Sequence, residues 1–249
     1  MVNRKYTDLF IDLDDTLYDT YGNAVIALRE TFDHFQLNRW FPDPQVFYDA
    51  YWTANIDLWS RYSRGEITRP YLIEERFRRP LMMSEKFRAE CEEPTSHLLP
   101  LTPYILKIND YFLDRCAEKP GVINGAHELM QYLRERGYRM HMTSNGFHEV
   151  QYKKLDACGL RNYFDTIILS EDAGANKPSK QFFEYALKRS EASPTKTLMI
   201  GDNLQTDILG ALNAGLDAML FNRWQVPSEE FPENLTFVVS KLSEIKSLL

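Results

Sequence analysis

The sequence predicts an α/β protein, a doubly wound parallel sheet interrupted near its start by a block of helices. Three observations carry that prediction. The apolar run Leu9 to Ile11 ends in a crowd of carboxylates, Asp12, Asp14 and Asp15, and a buried strand cannot hold charge in its middle, so the acids mark where it surfaces. The stretch 19–115 is aromatic-rich, carries apolar residues at helical spacing and contains no recognisable strand. From Pro120 onward short apolar runs alternate with helical patterns, the signature of a parallel sheet with crossover helices.

Each element follows from a local signal. The first strand covers 9–12. In the helical block Val25, Leu28, Phe32 and Phe35 recur on one face, and this spacing predicts helices over 23–35, 44–62, 69–78, 84–93 and 103–117. Breaks fall at 38–44, at Arg64-Gly65, around Arg79-Pro80 and at Glu93-Pro94, where Gly and Pro interrupt the pattern. A helix over 126–136 stops at Gly137, a residue suited to a helix end. Strands over 138–143, 166–169, 197–200 and 218–221 then alternate with helices over 149–157, 179–189 and 207–214. The segment 237–239 reads as an edge strand before a final helix. The chain therefore divides into an α/β unit, 1–18 with 116–249, and an inserted helical unit, 19–115.

Composition narrows the function. A net charge of −7 argues against a nucleic-acid polymer as partner, which would want a basic face. Cys91, Cys116 and Cys158 are odd in number and form no metal-spaced pair, as expected of reduced thiols in a cytoplasmic protein. No apolar run is long enough for a membrane span and the N-terminus has no signal-peptide pattern, so a cytoplasmic protein without membrane contact is expected.

Four segments place chemistry at strand ends, the edge where open α/β sheets bind ligands. Asp12 and Asp14 follow the first strand. Ser144-Asn145-Gly146 follows the second, where a hydroxyl and a backbone N–H can hold a phosphoryl oxygen; an ordinary turn reads the same way. Lys177 precedes Pro178 and a helix start, favourable for an anion, although a lone Lys there is also an ordinary solvated loop residue. Asp202 follows a buried strand beside Gly201, and Asp207 opens the next helix, where acids are common without function. Taken together, acids at two strand ends can supply oxygen ligands to Mg²⁺, a hard cation that accepts substrate phosphate, while the hydroxyl and ammonium hold phosphate oxygens.

In order and across nearly the whole chain, Asp12-Leu13-Asp14-Asp15-Thr16, Ser144-Asn145-Gly146, Lys177-Pro178 and Gly201-Asp202 through Asp207 resemble the four motifs of the haloacid dehalogenase (HAD) superfamily. The resemblance implies a Rossmann-like HAD core and a helical cap formed by 19–115. Within the insert, Asn55, Leu58-Trp59, Gly65-Glu66-Ile67-Thr68 and Arg76-Phe77 are similar to YjjG-type nucleotidases. The resemblance further implies that Asp12 is a nucleophile forming an aspartyl-phosphate and that Asp14 is the general acid, then base. The metal ligands would be Asp12, the Asp14 backbone carbonyl and Asp202, with Asp207 acting through water or holding Lys177. Ser144, Asn145 and Lys177 would bind the phosphoryl group. Asp14 must be protonated at times, and neighbouring negative charge is expected to raise its proton affinity. Thr143 beside Ser144 leaves open which hydroxyl serves. Asp15 stands where phosphosugar mutase relatives commonly have Gly, and Asp14 is an acid that dehalogenase relatives commonly lack; both favour phosphomonoester hydrolysis.

The substrate expected from this resemblance is a small phosphorylated metabolite, a nucleoside monophosphate. Trp59 and Tyr62, three apart on one helix, can share a face and stack on a base; Asn55 can hydrogen-bond its edge, and Arg76 a sugar or base oxygen. Packing inside the helical unit is the competing reading of all these residues. Competing functions are a phosphatase for a sugar phosphate or similar metabolite, a HAD-like binding protein without turnover, and a phospho-receiver domain, which would be about half this length.

Overall fold

A computed structural model describes residues 5–93, 96, 98 and 100–249. The chain forms two compact units, Met1–Tyr21 with Lys119–Leu249, and Gly22–Glu118. In the first, six strands form one sheet in the order β3-β2-β1-β4-β5-β6, with β1 Asp8–Asp12, β2 Arg139–Ser144, β3 Thr166–Leu169, β4 Thr197–Gly201, β5 Asp217–Phe221 and β6 Phe237–Val239. All pairings are parallel. β1 is fully buried and central, paired along its length with β2 and β4. Its side chains alternate between faces, as a strand requires. Leu9 and Ile11 join Leu129, Met130 and Leu133 in one apolar cluster, while Phe10 joins Phe182, Phe183 and Ile208 in another. Helices therefore cover both faces, and the order of strands reverses at β1, where such sheets bind ligands.

The helices are α1 Thr20–His34, α2 Pro44–Ser63, α3 Arg69–Leu81, α4 Glu85–Glu92, α5 Leu101–Ala117, α6 Ala126–Glu135, α7 His148–Ala157, α8 Ser170–Ala173, α9 Lys180–Ser190, α10 Gly210–Asn213 and α11 Leu242–Ile245. Within the helical unit, Leu28, Phe32, Phe47, Tyr51, Phe77, Leu81, Ile105, Ile108 and Phe112 build one aromatic-rich core. Asp43 caps α2 by accepting from Gln45 N at 3.0 Å, with Pro44 in the first turn, a favourable start because proline lacks an N–H that would be unpaired there.

Two differences from the sequence-based expectation have a local cause. α3 runs through Pro80 to Leu81 instead of breaking before it, and it ends one residue later, so the ladder bond that Pro80 cannot make falls at the end of the helix. The helix expected over 207–214 begins earlier as a wide turn, Leu204–Leu209, in π geometry before α10. Asn203 Oδ1 accepts from Gln205 N and Thr206 N at 3.0 Å each and so starts it. Of the expected break at Glu93-Pro94, Pro94 lies outside the described residues. Where the chain leaves the α/β unit and where it returns are tied together: Tyr18 bridges Val122, Ile123 N donates to Leu17 O at 2.8 Å and Asp19 N to Gly121 O at 3.1 Å. A long insertion here leaves the sheet intact.

Candidate active site

Beyond β1 the backbone reverses in one wide turn in which Leu13 O accepts from both Leu17 N (3.0 Å) and Tyr18 N (2.9 Å). Asp12 stays at the strand tip, 6% exposed. Lys177, 2% exposed, reaches in from the segment after α8; its ammonium lies 2.7 Å from Asp12 Oδ1, 2.7 Å from Asp207 Oδ1 and 2.9 Å from Thr143 O. Carboxylate oxygens of Asp12, Asp202 and Asp207 all lie within 4.8 Å of one another. Gly201 permits this crowding, because a Cβ there would lie 2.3 Å from Asp207 Oδ2. The Thr16 hydroxyl sits between two acids, 3.1 Å from Asp12 Oδ2 and 3.3 Å from Asp202 Oδ1, while accepting from Asp202 N at 3.1 Å.

This cluster carries unbalanced charge. Three buried carboxylates face one ammonium, and the single Thr16 proton cannot serve both acids it touches. Burial pushes Asp12 well above the usual carboxylate range, with Asp207, Asp202 and Asp14 adding to the rise and Lys177 opposing it. Burial also lifts Asp202 to about 7, aided by Asp207. Burial works against the Lys177 ammonium, yet Asp12 and Asp207 hold its pKa above the ordinary value. Clustered oxygen donors with excess negative charge are what a hard divalent cation requires, so Mg²⁺ fits the residues present.

Asp14 lies in a different setting. Its Oδ1 accepts from Thr20 Oγ1 and Lys154 Nζ, each at 2.5 Å, and its Oδ2 from Gln151 Nε2 at 2.6 Å, with Ser144 Oγ at 3.5 Å. Burial alone would raise its pKa, but the Lys154 ammonium and these hydrogen bonds bring it below the usual value. The expected upward shift is therefore reversed in this conformation, because Lys154 and the hydrogen bonds from Thr20 and Gln151 outweigh burial. Of the two adjacent hydroxyls, Ser144 faces this cluster, whereas Thr143 Oγ1 turns toward Met199 Sδ, 3.6 Å away. Asn145 spans to Lys177, its Nδ2 donating to Lys177 O at 2.9 Å and its Oδ1 accepting from Lys177 N at 2.8 Å. Its side chain is thus a strut for Lys177, and a phosphate contact from Asn145 would come from its backbone.

Asp15 adopts φ 61°, the left-handed region that Gly enters freely and Asp tolerates. It is held there by Arg223 Nη1, 2.8 Å from Oδ1, and by Tyr21 N at 3.1 Å. The neighbouring Trp224 donates its indole N–H to Asp202 Oδ2 at 2.6 Å. Thr16, Thr20, Gln151, Lys154, Arg223 and Trp224 were absent from the sequence-based site. Gln151 and Lys154 lie one helical turn apart just after Ser144, but only the path of α7 brings them to Asp14.

In the helical unit, Trp59 and Tyr62 do meet, their rings 5.6 Å apart and near perpendicular. Trp59 and Asn55 are half-buried, and Asn55 Oδ1 has no hydrogen-bond partner among the described residues. Arg76 is 2% exposed. It donates to Asn109 Oδ1 and lies over Phe112, 5.3 Å from the ring centre, so it is held within the core of that unit.

Residues 9–215 match the model of the haloacid dehalogenase-like hydrolases. The chain belongs to this family. As a HAD hydrolase it is an enzyme, and the six-stranded parallel core is the family's Rossmann-like fold. Among curated relatives, pyrimidine 5′-nucleotidase YjjG of Escherichia coli K12 is 33% identical, over 98% of each chain. Glyceraldehyde 3-phosphate phosphatase of Methanothermobacter thermautotrophicus is 30% identical over 86% of this chain and 84% of the relative. The magnesium-bound crystal structure of HAD-hydrolase YfnB from Bacillus subtilis superposes with a TM-score of 0.79 at 29% identity, covering 99% of both chains. No helix among the described residues is long and apolar enough to cross a membrane.

Proposed function

We propose that this HAD hydrolase is a Mg²⁺-dependent phosphomonoesterase that works through an aspartyl-phosphate on Asp12 and takes nucleoside 5′-monophosphates as substrates. The observation that carries this reading is the buried cluster of Asp12, Asp202 and Asp207 around Lys177. A carboxylate oxygen of Asp12 attacks phosphorus, the bond to the leaving alkoxide breaks, and Asp14 gives that oxygen its proton. Asp14 then takes a proton from water, whose oxygen attacks phosphorus and returns Asp12 free. Lys177 and the Ser144 hydroxyl hold phosphoryl oxygens, and Lys177 also favours the ionised form of Asp12 against burial. Mg²⁺, held by Asp12, Asp202 and the Asp14 backbone carbonyl with support from Asp207, would offset the carboxylate charge and stabilise charge on the phosphoryl oxygens.

The helical unit, as a cap, would read the leaving group, with Asn55 and Trp59 the residues available for a base. The unpartnered Asn55 Oδ1 supports this role, and the resemblance to a pyrimidine 5′-nucleotidase supports the substrate class. A sugar-phosphate phosphatase is the second reading, favoured by the likeness to glyceraldehyde 3-phosphate phosphatase. A panel of phosphomonoesters, assayed for phosphate release with Mg²⁺ and with chelator, decides between them. Pyrimidine nucleotides should lead in kcat/KM, and Asn55→Ala or Trp59→Ala should lower nucleotide turnover about tenfold while sparing a small aryl phosphate. A panel led by sugar phosphates favours the second reading; no release from any ester leaves a binding protein.

A further inference from the structure

Two side chains of α7 are buried in the site without a role in the chemistry above. Gln151 is fully buried and Lys154 is 7% exposed. Lying three apart, they share one face of the helix. Gln151 Nε2 lies 2.6 Å from Ser144 Oγ and 2.6 Å from Asp14 Oδ2, so its two N–H bonds serve one residue each. The opposite amide orientation would set Oε1 against the Asp14 carboxylate. Oε1 itself is buried without a partner among the described residues, so the amide is held by its donors alone.

This arrangement fixes the Ser144 proton. A hydroxyl has two acceptor lone pairs and one proton. Ser144 Oγ accepts from Gln151 Nε2 and from Gly146 N at 2.9 Å, which fills both lone pairs. The proton is left to point outward, toward Asp14 Oδ2 at 3.5 Å, too long for a good O–H···O bond. A donor aimed at a distant acceptor is poised for a closer oxygen. Gly146 makes room for the bridge, since a Cβ there would lie 2.4 Å from Gln151 Cδ. On its other oxygen Asp14 is fixed by Lys154 and Thr20.

We propose that Gln151 and Lys154 are positioning residues for phosphoryl transfer. Gln151 turns the Ser144 proton toward the phosphoryl oxygen, and with Lys154 it sets the place from which Asp14 reaches the leaving group. This rests on the roles given above to Asp14 and Ser144.

The test compares p-nitrophenyl phosphate with the best alkyl monoester of the panel in wild type, Gln151→Leu, Lys154→Met and Lys154→Arg, together with inhibition by inorganic phosphate. kcat/KM covers events only through loss of the leaving group. p-Nitrophenolate departs without a proton, whereas an alkoxide needs one. Lys154→Met should lower kcat/KM for the alkyl ester at least about tenfold and for the aryl ester much less, with Lys154→Arg restoring most of it. Gln151→Leu should add a roughly tenfold weaker inhibition by phosphate. The idea is overturned if the variants, folded by circular dichroism and thermal midpoint, keep wild-type values, or slow both esters equally with unchanged phosphate inhibition. Lys154→Met carries the test if Gln151→Leu does not fold. Asp12→Asn separates the levels: turnover in it defeats the proposed function itself, whereas an inert Asp12→Asn beside wild-type α7 variants defeats only the positioning.

Discussion

Each unit of the molecule buries charge, but in different ways. In the α/β unit, Asp12, Asp202 and Asp207 outnumber the single ammonium of Lys177. In the helical unit, Arg76 is buried against an amide and the face of Phe112, with no carboxylate paired to it among the described residues. Charge left unbalanced inside a protein costs folding free energy and persists where chemistry or a ligand needs it. Arg76 is the smaller imbalance, one cation met by an amide and an aromatic face with its Nε left without a partner among the described residues. The contrast teaches that burial of a polar group is no guide to function by itself; several like charges brought to one point are.

Substitutions can break this contrast directly. The largest effect is expected at Asp12. Asp12→Asn should reduce phosphate release to background, because an amide cannot replace the nucleophilic carboxylate. Its thermal midpoint should hold or rise, since one crowded acid is gone while the fold's apolar contacts remain. Near-normal turnover with Mg²⁺ would remove the aspartyl-phosphate. The helical unit should behave oppositely. Phe77 is fully buried between Tyr51 and Phe112, with ring centres 5.2 and 5.4 Å away. Phe77→Ala should cost about 3–5 kcal/mol in denaturant unfolding, and little change in stability would show that this core does not support its unit as its packing suggests.

Between these lies Asp202, where chemistry and stability pull apart. Its carboxylate is buried among other acids and anchored by Trp224 and Thr16. Asp202→Ala should weaken Mg²⁺ binding at least about 10–100-fold by calorimetry, with a smaller change in the unfolding midpoint of the metal-free protein. Chelation should silence the wild type and Mg²⁺ restore it. Unaltered Mg²⁺ affinity in Asp202→Ala would remove it from the metal site.

These clusters differ in how far the sequence alone discloses them. The strands and the acids at their tips are legible because an apolar run and a charge cannot share a buried segment, and Asp12, Ser144 and Asp202 each follow or end such a run. The inner turn of the site is not. Gln151 and Lys154 look like solvated helix residues until α7 packs, and Trp224 looks like a loop aromatic until its indole meets Asp202. Arg76 shows the reverse: a cation expected at a ligand lies 2% exposed in the core of its own unit, donating to Asn109. The reversed shift of Asp14 has the same origin, since the lysine, threonine and glutamine that override its burial reach it only through the fold.

The smallest expected effect lies at the far end of the sheet and shows what a balanced buried charge does. At the start of β1, Asp8 is 1% exposed and its Oδ1 meets Arg139 Nη2 at 2.6 Å and His141 Nε2 at 3.1 Å. With a proton on Nε2, His141 serves Asp8 as a neutral ring. Its Nδ1 is buried and has no partner among the described residues, so a second proton there would find no acceptor. Burial accordingly holds the His141 pKa below its ordinary value, although Asp8 pulls the other way. The unfolded chain therefore binds a proton near pH 6.5 that the folded chain still refuses, and stability should fall as the pH drops below that value toward the lower folded pKa. Above about pH 7.5 both states are neutral at this ring and the contribution is constant. His141→Gln keeps a donor for Asp8 and removes the titration. Urea unfolding midpoints from pH 8 to 5 should then decline more steeply for the wild type than for the variant, with the gap opening below about pH 7.5 and widening through pH 6.5. Parallel curves would mean that Asp8, already held by Arg139, accepts the charged ring at no cost. The two buried carboxylates at opposite ends of β1, Asp8 and Asp12, would then differ less in their charge balance than their surroundings indicate.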